Sequence, residues 1–503
     1  MDAAASNPPA PRGESEATRE QPGPGRRFLH LAVLAAFCFA EPALLAANAT
    51  LYAGYGSAPL DVFVAATLLV VLPPAILLGL EELAGLAGHD WRERLHLVFV
   101  GGLAALGAST LLFASGTIAR LLGALIGGAA FAYGYRRYDW LRTALTVLSP
   151  LPLVFLLLYL FVSPVSGFTL SNQDGIRIED VPGRAPVVMI VLDELAVTSL
   201  MEGRERIDAR RYPNFARLAR GSDWFRNATT VHWETHRAVP ALVSARRSGE
   251  DDIPFVVDHP HNLFTLLGGS YDVAAEEPYA RLCPESVCHA IGERSFGERL
   301  TSLIGNLTLV SAVVSVPDGV RNRLSIPGPR EAEEGDPTEE VDRFLAELGR
   351  PAHGGRPQLD YMHLLLPHVP WERMPSGKRY PTEDETLVGL QGTEKWTDDR
   401  QRIRENHQRY LLQLAYTDRV LGRVLDKLRA TGAYDRSLIV LTADHGVSFK
   451  PDDQRREINS ANAEDIFPVP LFVKRPGQGR GRVLDRHVET IDIVPTIADA
   501  LGI

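Results

Sequence analysis

Apolar positions are distributed very unevenly along this chain. Between Leu29 and Val162 they form long, almost uncharged runs rich in Ala, Leu and Val, near 29–51, 60–80, 95–115, 121–135 and 141–162. A helix rising 1.5 Å per residue needs about 20 apolar residues to cross a bilayer, so the pattern predicts an α-helical transmembrane bundle of five spans over 28–165. Residues 1–27, rich in Pro, Gly, Ala and charge, have no apolar periodicity and read as a disordered tail. A cleavable signal would show one short apolar core and a small-residue cleavage site. Here the first run is followed by four more.

Beyond residue 165 the pattern changes. Continuous apolar runs of strand length appear at 187–192, 361–367, 437–443 and 469–474, typical of strands buried on both faces of a parallel sheet. Between them lie amphipathic stretches such as 406–428, where Tyr410, Leu411, Leu414, Val420, Leu421 and Leu425 recur at helical spacing. This alternation predicts, after a linker at 166–185, an α/β domain with a mostly parallel central sheet over 186–503.

Lys and Arg in the short loops set orientation. Arg26 and Arg27 precede the first span, Arg92 and Arg94 separate the second and third, and Arg136, Arg137 and Arg142 separate the fourth and fifth, whereas the opposite loops hold only Arg120. Five spans with the N-terminus inside place the α/β domain outside the cytoplasm, on a multi-pass protein of the cell membrane. Glu41, an ionisable group within the first span, is a functional candidate or the neighbour of a kink at Pro42.

Composition adds exclusions. The 503 residues are 45% hydrophobic with a net charge of −10, and a mean hydropathy of −0.04 averages two unlike parts. An acidic chain without a basic tract lacks the Lys/Arg footprint of a nucleic-acid binder. Three cysteines exclude a disulfide scaffold. Cys38 lies in the first span; Cys283 and Cys288, in a domain placed where oxidation is permitted, favour a local disulfide over a metal clip. The sequons at Asn227 and Asn306 matter only in a secretory pathway that glycosylates.

In open α/β sheets ligands bind beyond the carboxyl ends of strands. The run at 187–192 ends in Asp193-Glu194, that at 437–443 in Asp444-His445-Gly446, and that at 361–367 in His368-Val369-Pro370-Trp371. Carboxylates with one imidazole form a donor set for one divalent cation, Mn, Mg or Zn, with Ca also compatible. Any one of these motifs alone reads equally as a turn or a helix cap.

These motifs resemble the alkaline phosphatase and sulfatase superfamily over 186–503. V-V-M-I-V-L-D-E resembles its opening metal strand and 212–228 the stretch before its nucleophile; 416–428 followed by L-I-V-L-T-A-D-H-G resembles the approach to its second metal pair. V-P-L-F-V-K-R-P-G and I-D-I-V-P-T-I-A-D-A-L-G-I resemble its closing segments. Sulfatases carry a C/S-x-P-S-R nucleophile motif. Aligned on the small-residue helix 238–245, that pattern puts Thr235 at the nucleophile position, followed by His236 and Arg237. The resemblance therefore points away from a conventional sulfatase and toward phosphoryl-transferring membrane enzymes such as lipoteichoic acid synthases and phosphoethanolamine transferases, acting on envelope lipid or glycan.

It implies a cation held by Asp193, Asp444, His445 and Thr235, with Glu194 as a further carboxylate, and His368 binding the phosphoryl group or protonating the leaving oxygen. Thr235 alternatively serves only as a helix N-cap. His236, Lys450 and Arg455 are candidate substrate contacts, Lys450 and Arg455 reading alternatively as a solvated charge run. His363, inside an apolar run, reads as a structural core residue. Competing readings are a sulfuric or phosphonate ester hydrolase with the same site, and an inactive envelope-binding module.

Overall fold

The computed structural model describes residues 22–503 except 41–43, 45–51, 53–57, 113–115, 164, 171–172, 174, 183–184, 204, 291–294, 317–319, 321–336, 351–352, 381–388 and 392–393. The chain divides into two compact units: one comprises 1–43, 66–156 and 311–326, the other 44–65, 157–310 and 327–503.

The first unit is helical: α1 (Pro24–Ala35), continued by a π-helical stretch (Ala36–Ala40), most of α2 (Pro59–Leu86), α3 (His89–Leu111), α4 (Thr117–Arg137), α5 (Asp139–Val147) and part of α6 (Leu151–Phe161). Four stretches among the described residues are long and apolar enough to cross a membrane: Pro59–Leu86, His89–Leu111, Thr117–Arg137 and Asp139–Phe161. The last is interrupted beside Pro150, where the N–H that a continuous helix needs is missing. The remaining expected span, 29–51, lies partly outside the described residues, as does Glu41.

Polar groups in an apolar bundle must find partners within it. Arg27 Nη1 donates to Glu81 Oε2 (3.0 Å), and Glu81 Oε1 meets His96 Nδ1 (2.8 Å). His96 Nε2 meets the Tyr135 hydroxyl (2.9 Å), which also meets His30 Nδ1 (2.7 Å), and His30 Nε2 reaches Thr146 Oγ1 (2.8 Å). Five helices are thereby tied through one buried chain of hydrogen bonds.

The second unit is built on an eight-stranded sheet. In chain order its strands are β1 (Val187–Asp193), β2 (Asp223–Phe225), β3 (Asp272–Glu276), β4 (Cys288–Ala290), β5 (Gln358–Pro367), β6 (Leu438–Ala443), β7 (Leu471–Lys474) and β8 (Arg482–Leu484). Their spatial order is β8-β2-β7-β6-β1-β5-β3-β4. Only β7 runs against the others, so the expected mostly parallel sheet is present. Central strands β1, β5 and β6 are nearly continuous Val, Ile and Leu because both faces are covered.

Strand side chains alternate between faces. Val188, Ile190, Leu192, Met362, Leu364, Ile439 and Leu441 pack on one face with α7 (Pro213–Gly221) and α9 (Arg400–Ala430). Val187, Met189, Val191, Leu359, Tyr361, Leu438 and Val440 pack on the other with α8 (Thr235–Ser244) and α10 (Ile493–Leu501). Asp193, His363 and Asp444 continue the parity of this second set, which brings them to the face covered by α8. Beside β3 and β4, Cys283 is bonded to Cys288, with Cα atoms 6.0 Å apart.

On the first face, Asp418 of α9 closes the start of α7. Its carboxylate accepts from the backbone N–H of Asn214 (2.9 Å) and of Phe215 (2.9 Å), and from Asn214 Nδ2 (2.8 Å). Helix N-termini leave such N–H groups without internal partners, and this acid supplies them across the fold. Replacing it by Ala is expected to cost about 1–3 kcal/mol. A denaturation midpoint of Asp418→Ala equal to that of the parent protein would show that this cap adds nothing.

Candidate active site

The site grows from the carboxyl ends of three neighbouring strands. β1 and β6 pair in register up to Leu192 and Ala443, so Asp193 and Asp444 emerge side by side. Asp444 N donates to Leu192 O (3.0 Å), and Asp444 Oδ1 accepts from Glu194 N (3.2 Å) and His445 N (2.6 Å). One Asp444 oxygen is thus fixed by backbone while Oδ2 has no hydrogen-bond partner. Glu194 adopts φ +62°, a conformation costly for a residue with a Cβ, and the Tyr410 hydroxyl holds its carbonyl at 3.1 Å. A Cβ at Gly446 would strike the Asp465 carbonyl, which accounts for the glycine of Asp-His-Gly.

His445 is fully buried, its Nδ1 2.9 Å from Gly446 O. With Nδ1–H donating there, Nε2 presents a lone pair to the Thr235 hydroxyl at 3.2 Å. Burial depresses the pKa of His445, keeping it neutral and ligand-competent. Thr235 is the first residue of α8; Glu234 occupies the cap position and makes no side-chain cap bond. The alternative of Thr235 as an N-cap is therefore not what the structure shows. Of the neighbouring hydroxyls, Thr229 pairs with His487 and Thr230 with the His232 carbonyl.

His363 is buried in the core, as its apolar run implies, and the structure adds its neighbours. It stands in β5 opposite Val191, one face with Asp193, and its Nε2 is 3.8 Å from Asp193 Oδ2. Asp193, His363 and Asp444 each offer a ligand atom within 4.8 Å of the others. Burial holds His363 near pKa 4, and neither of its nitrogens has a hydrogen-bond partner. The apolar run concealed it, and only the register of β5 against β1, Val191 opposite His363, places it on the face of Asp193.

A cation fits these residues. Both Asp193 oxygens and Asp444 Oδ2 are buried and without hydrogen-bond partners. Burial and then the Asp444 charge push the Asp193 carboxyl well above its ordinary range. Two acids in this position are compensated by positive charge, and two neutral imidazoles supply additional donors.

The flanking carboxylate behaves differently. Glu194 Oε1 accepts from Arg455 Nη1 at 2.5 Å and lies 3.6 Å from His368 Nε2, while Oε2 has no hydrogen-bond partner. Burial alone would raise its pKa, but Arg455, His368 and Arg456 outweigh that and hold it near 2. Arg455 is fully buried between Glu194 and Glu394, the latter at 3.0 Å, so its guanidinium already has two carboxylate partners. Arg456 shares Glu394 (2.8 Å) and lies 3.6 Å from Glu194. Lys450 pairs with Glu464 at 2.9 Å and Asp465 at 3.3 Å, away from these groups. His236 stands one residue after Thr235, 3.6 Å from Glu234 Oε2.

His368 closes the edge beside β5. Its Nδ1 lies 2.6 Å from Val369 O and its carbonyl accepts from Gln413 at 2.6 Å. Behind it, Trp371 packs against Phe449, Tyr410 and Trp396, with centroids 5.2, 5.8 and 6.4 Å away. This aromatic cluster joins the loops after β5 and β6 to α9.

The Thr235 hydroxyl at a helix start thus lies 3.2 Å from His445 Nε2, which stands 3.4 Å from Asp444 Oδ2 and 3.9 Å from Asp193 Oδ1. The chain belongs to the sulfatase family, whose model, "Sulfatase", matches residues 187–503. Among curated proteins, it is 37% identical over 108 residues to the multifunctional alkaline phosphatase superfamily protein PehA of Trinickia caryophylli, covering 21% of each chain. It is 32% identical over 101 residues to arylsulfatase K of Danio rerio, covering 20% of this chain and 19% of that one. The matches thus span about a fifth of each relative's length. Among solved structures, a phosphonate monoester hydrolase from Silicibacter pomeroyi aligns with 63% of this chain and 73% of its own, at 20% identity and TM-score 0.44. The lipoteichoic acid synthase LtaP of Listeria monocytogenes aligns over 65% and 76%, at 15% identity and TM-score 0.40. The family assignment rests on the domain match.

The Glu194 environment predicts an acid-side signature. Glutamate titrates near 4.5 when unfolded and near 2 here. The stabilisation it contributes is therefore complete above about pH 4.5, declines as pH falls toward 2 and is absent below. Arg455→Gln removes the principal compensating charge and raises the folded-state pKa toward the unfolded value, so the variant is expected to be less stable at pH 7 and to lose less further stability than the parent protein as pH falls below about 4.5. Denaturation midpoints between pH 3 and 7 test this; identical profiles for the two proteins would refute the assigned role of Arg455.

Proposed function

We propose that this protein is a membrane-anchored, metal-dependent phosphoryl transferase or phosphodiesterase that acts on an envelope lipid or glycan, with its catalytic domain outside the cytoplasm. The observation carrying this reading is the Thr235 hydroxyl, 3.2 Å from Nε2 of the buried His445, which itself lies 3.4 Å from Asp444 Oδ2 and 3.9 Å from Asp193 Oδ1. Family membership supports ester chemistry. The absence of Cys at this position, together with His236-Arg237 in place of Pro-Ser-Arg, favours phosphoryl over sulfuryl transfer.

In this mechanism Asp193, Asp444, His445 and Thr235 hold one divalent cation, with Glu194 Oε2 as an additional oxygen. When bound, the cation supplies Lewis-acid chemistry, lowering the pKa of the Thr235 hydroxyl and offsetting charge on the phosphoryl oxygens. Thr235 Oγ1, at the positive end of the α8 dipole, passes its proton to solvent water and attacks phosphorus as the bond to the leaving oxygen breaks. His368 is placed to deliver a proton to that oxygen. Water or an acceptor alcohol then attacks the phosphothreonine, forming a new P–O bond and returning the Thr235 hydroxyl. His236, beside the nucleophile, is the nearest of the substrate-contact candidates. Arg455 acts from behind, holding Glu194.

The sulfatase relatives keep a sulfuric ester hydrolase as the second reading. One experiment separates the two. Detergent-purified protein loaded with Mn is offered phosphomonoesters, phosphodiesters, phospholipids and sulfate esters, and Thr235 is searched by mass spectrometry for a phosphoryl-containing adduct. Thr235→Ala is expected to lower turnover by on the order of 10³-fold or more and to abolish the adduct. Asp444→Ala is expected to abolish metal loading. Turnover persisting in Thr235→Ala defeats the nucleophile assignment, and turnover of sulfate esters alone defeats the phosphoryl assignment.

A further inference from the structure

Beyond the acids at the strand ends, one group aimed at the same site has no part in the mechanism above. His363 is fully buried within β5, with no hydrogen-bond partner for either nitrogen. A buried imidazole left in that state costs free energy comparable to an unsatisfied hydrogen bond, and Asp193 Oδ2 is 3.8 Å from its Nε2. On the opposite side, Asp193 Oδ1 lies 3.9 Å from His445 Nε2. Asp193 therefore stands between two imidazoles, one from inside a strand and one from a strand end.

The geometry points to His363 as a second imidazole ligand of the cation, making the centre a mixed nitrogen and oxygen one suited to a borderline first-row ion such as Zn2+. This rests on the proposed metal site and extends it to a residue the strand-end motifs do not include. The oxygens left to a cation support the choice. Asp444 Oδ1 is held by two backbone amides and Glu194 Oε1 by Arg455. What remains is Asp193 Oδ1 and Oδ2, Asp444 Oδ2, Glu194 Oε2 and the Thr235 hydroxyl. Calcium takes six to eight oxygens in adaptable geometry, and Mg2+ characteristically keeps several waters. Two imidazoles among the donors match neither of these oxygen-based habits, whereas Zn2+ is commonly bound by a mixture of His nitrogens and carboxylates.

Zn K-edge X-ray absorption on the full-length protein carrying one equivalent of Zn2+ counts the imidazoles directly. Two are expected in the parent protein, and one in His363→Gln and in His445→Gln. Zn2+ affinity of His363→Gln is expected to fall by about 10–100-fold, with Ca2+ affinity unchanged. One imidazole in the parent protein overturns the assignment whether or not the variant folds, as does an unchanged count in His363→Gln. Asp444→Ala distinguishes the levels of failure. If it abolishes metal binding while the parent shows a single imidazole, only the role of His363 is lost; if it binds Zn2+ normally, the proposed site itself is misplaced.

Discussion

Two carboxylates, Asp193 and Asp444, are buried side by side where two parallel strands end, and much of the domain serves to keep them there. In water these groups would separate and be solvated; each ion removed from water costs several kcal/mol unless it is compensated. The compensation is built in stages. Backbone amides of Glu194 and His445 fix one Asp444 oxygen, and neutral imidazoles approach from β5 and from the loop after β6. The parallel register of β1 and β6 sets the juxtaposition, because the strands pair up to Leu192 and Ala443, the residues just before the two acids. A fold that buries this pair and leaves its remaining oxygens without hydrogen-bond partners is organised around positive charge.

A separate charge network sets the site's outer wall. Glu194 follows Asp193 directly, yet its side chain meets Arg455, which in turn bonds to Glu394. The Arg455 backbone is held at both ends: its N–H donates to Glu394 O (2.9 Å), and its carbonyl accepts from Ser448 N (2.9 Å). The loop after β6 is thus stitched to the short hairpin carrying Glu394, while Trp371, Trp396, Tyr410 and Phe449 fill the space behind it. Adjacent acids in the sequence accordingly have different work. Asp193 faces imidazoles with no bound cationic side chain, and Glu194 is held ionised by guanidinium groups.

What the sequence made legible follows from periodicity and strand ends. Apolar runs located β1, β5, β6 and β7, and their last residues supplied Asp193, Glu194, His368, Asp444 and His445. Short strands β2 and β8 were hidden because segments of only three residues carry no period to detect. The reversed direction of β7 is a property of pairing that composition does not encode. His363 was obscured for a related reason. A fully buried parallel strand has no polar face against which an inward histidine stands out, and only knowledge of which strands neighbour one another reveals that it shares a face with Asp193. Glu81 in the apolar N-terminal helices was similarly unmarked, since its partners Arg27 and His96 come from other helices.

The placement of Thr235 ties these constraints to chemistry. A hydroxyl needs help to become a nucleophile, and the role proposed for Thr235 depends on where it is placed. Its helix packs on the same sheet face as Asp193, His363 and Asp444, and it begins where the first turn offers unpaired N–H groups. Were the helix to start one residue later, Thr235 would become the cap and its oxygen would turn back toward backbone donors. With Glu234 in that role and making no cap bond, the Thr235 hydroxyl is left to His445. The first residue of one helix and the last residues of two strands thus converge because sheet parity and helix start are set independently and agree at this point.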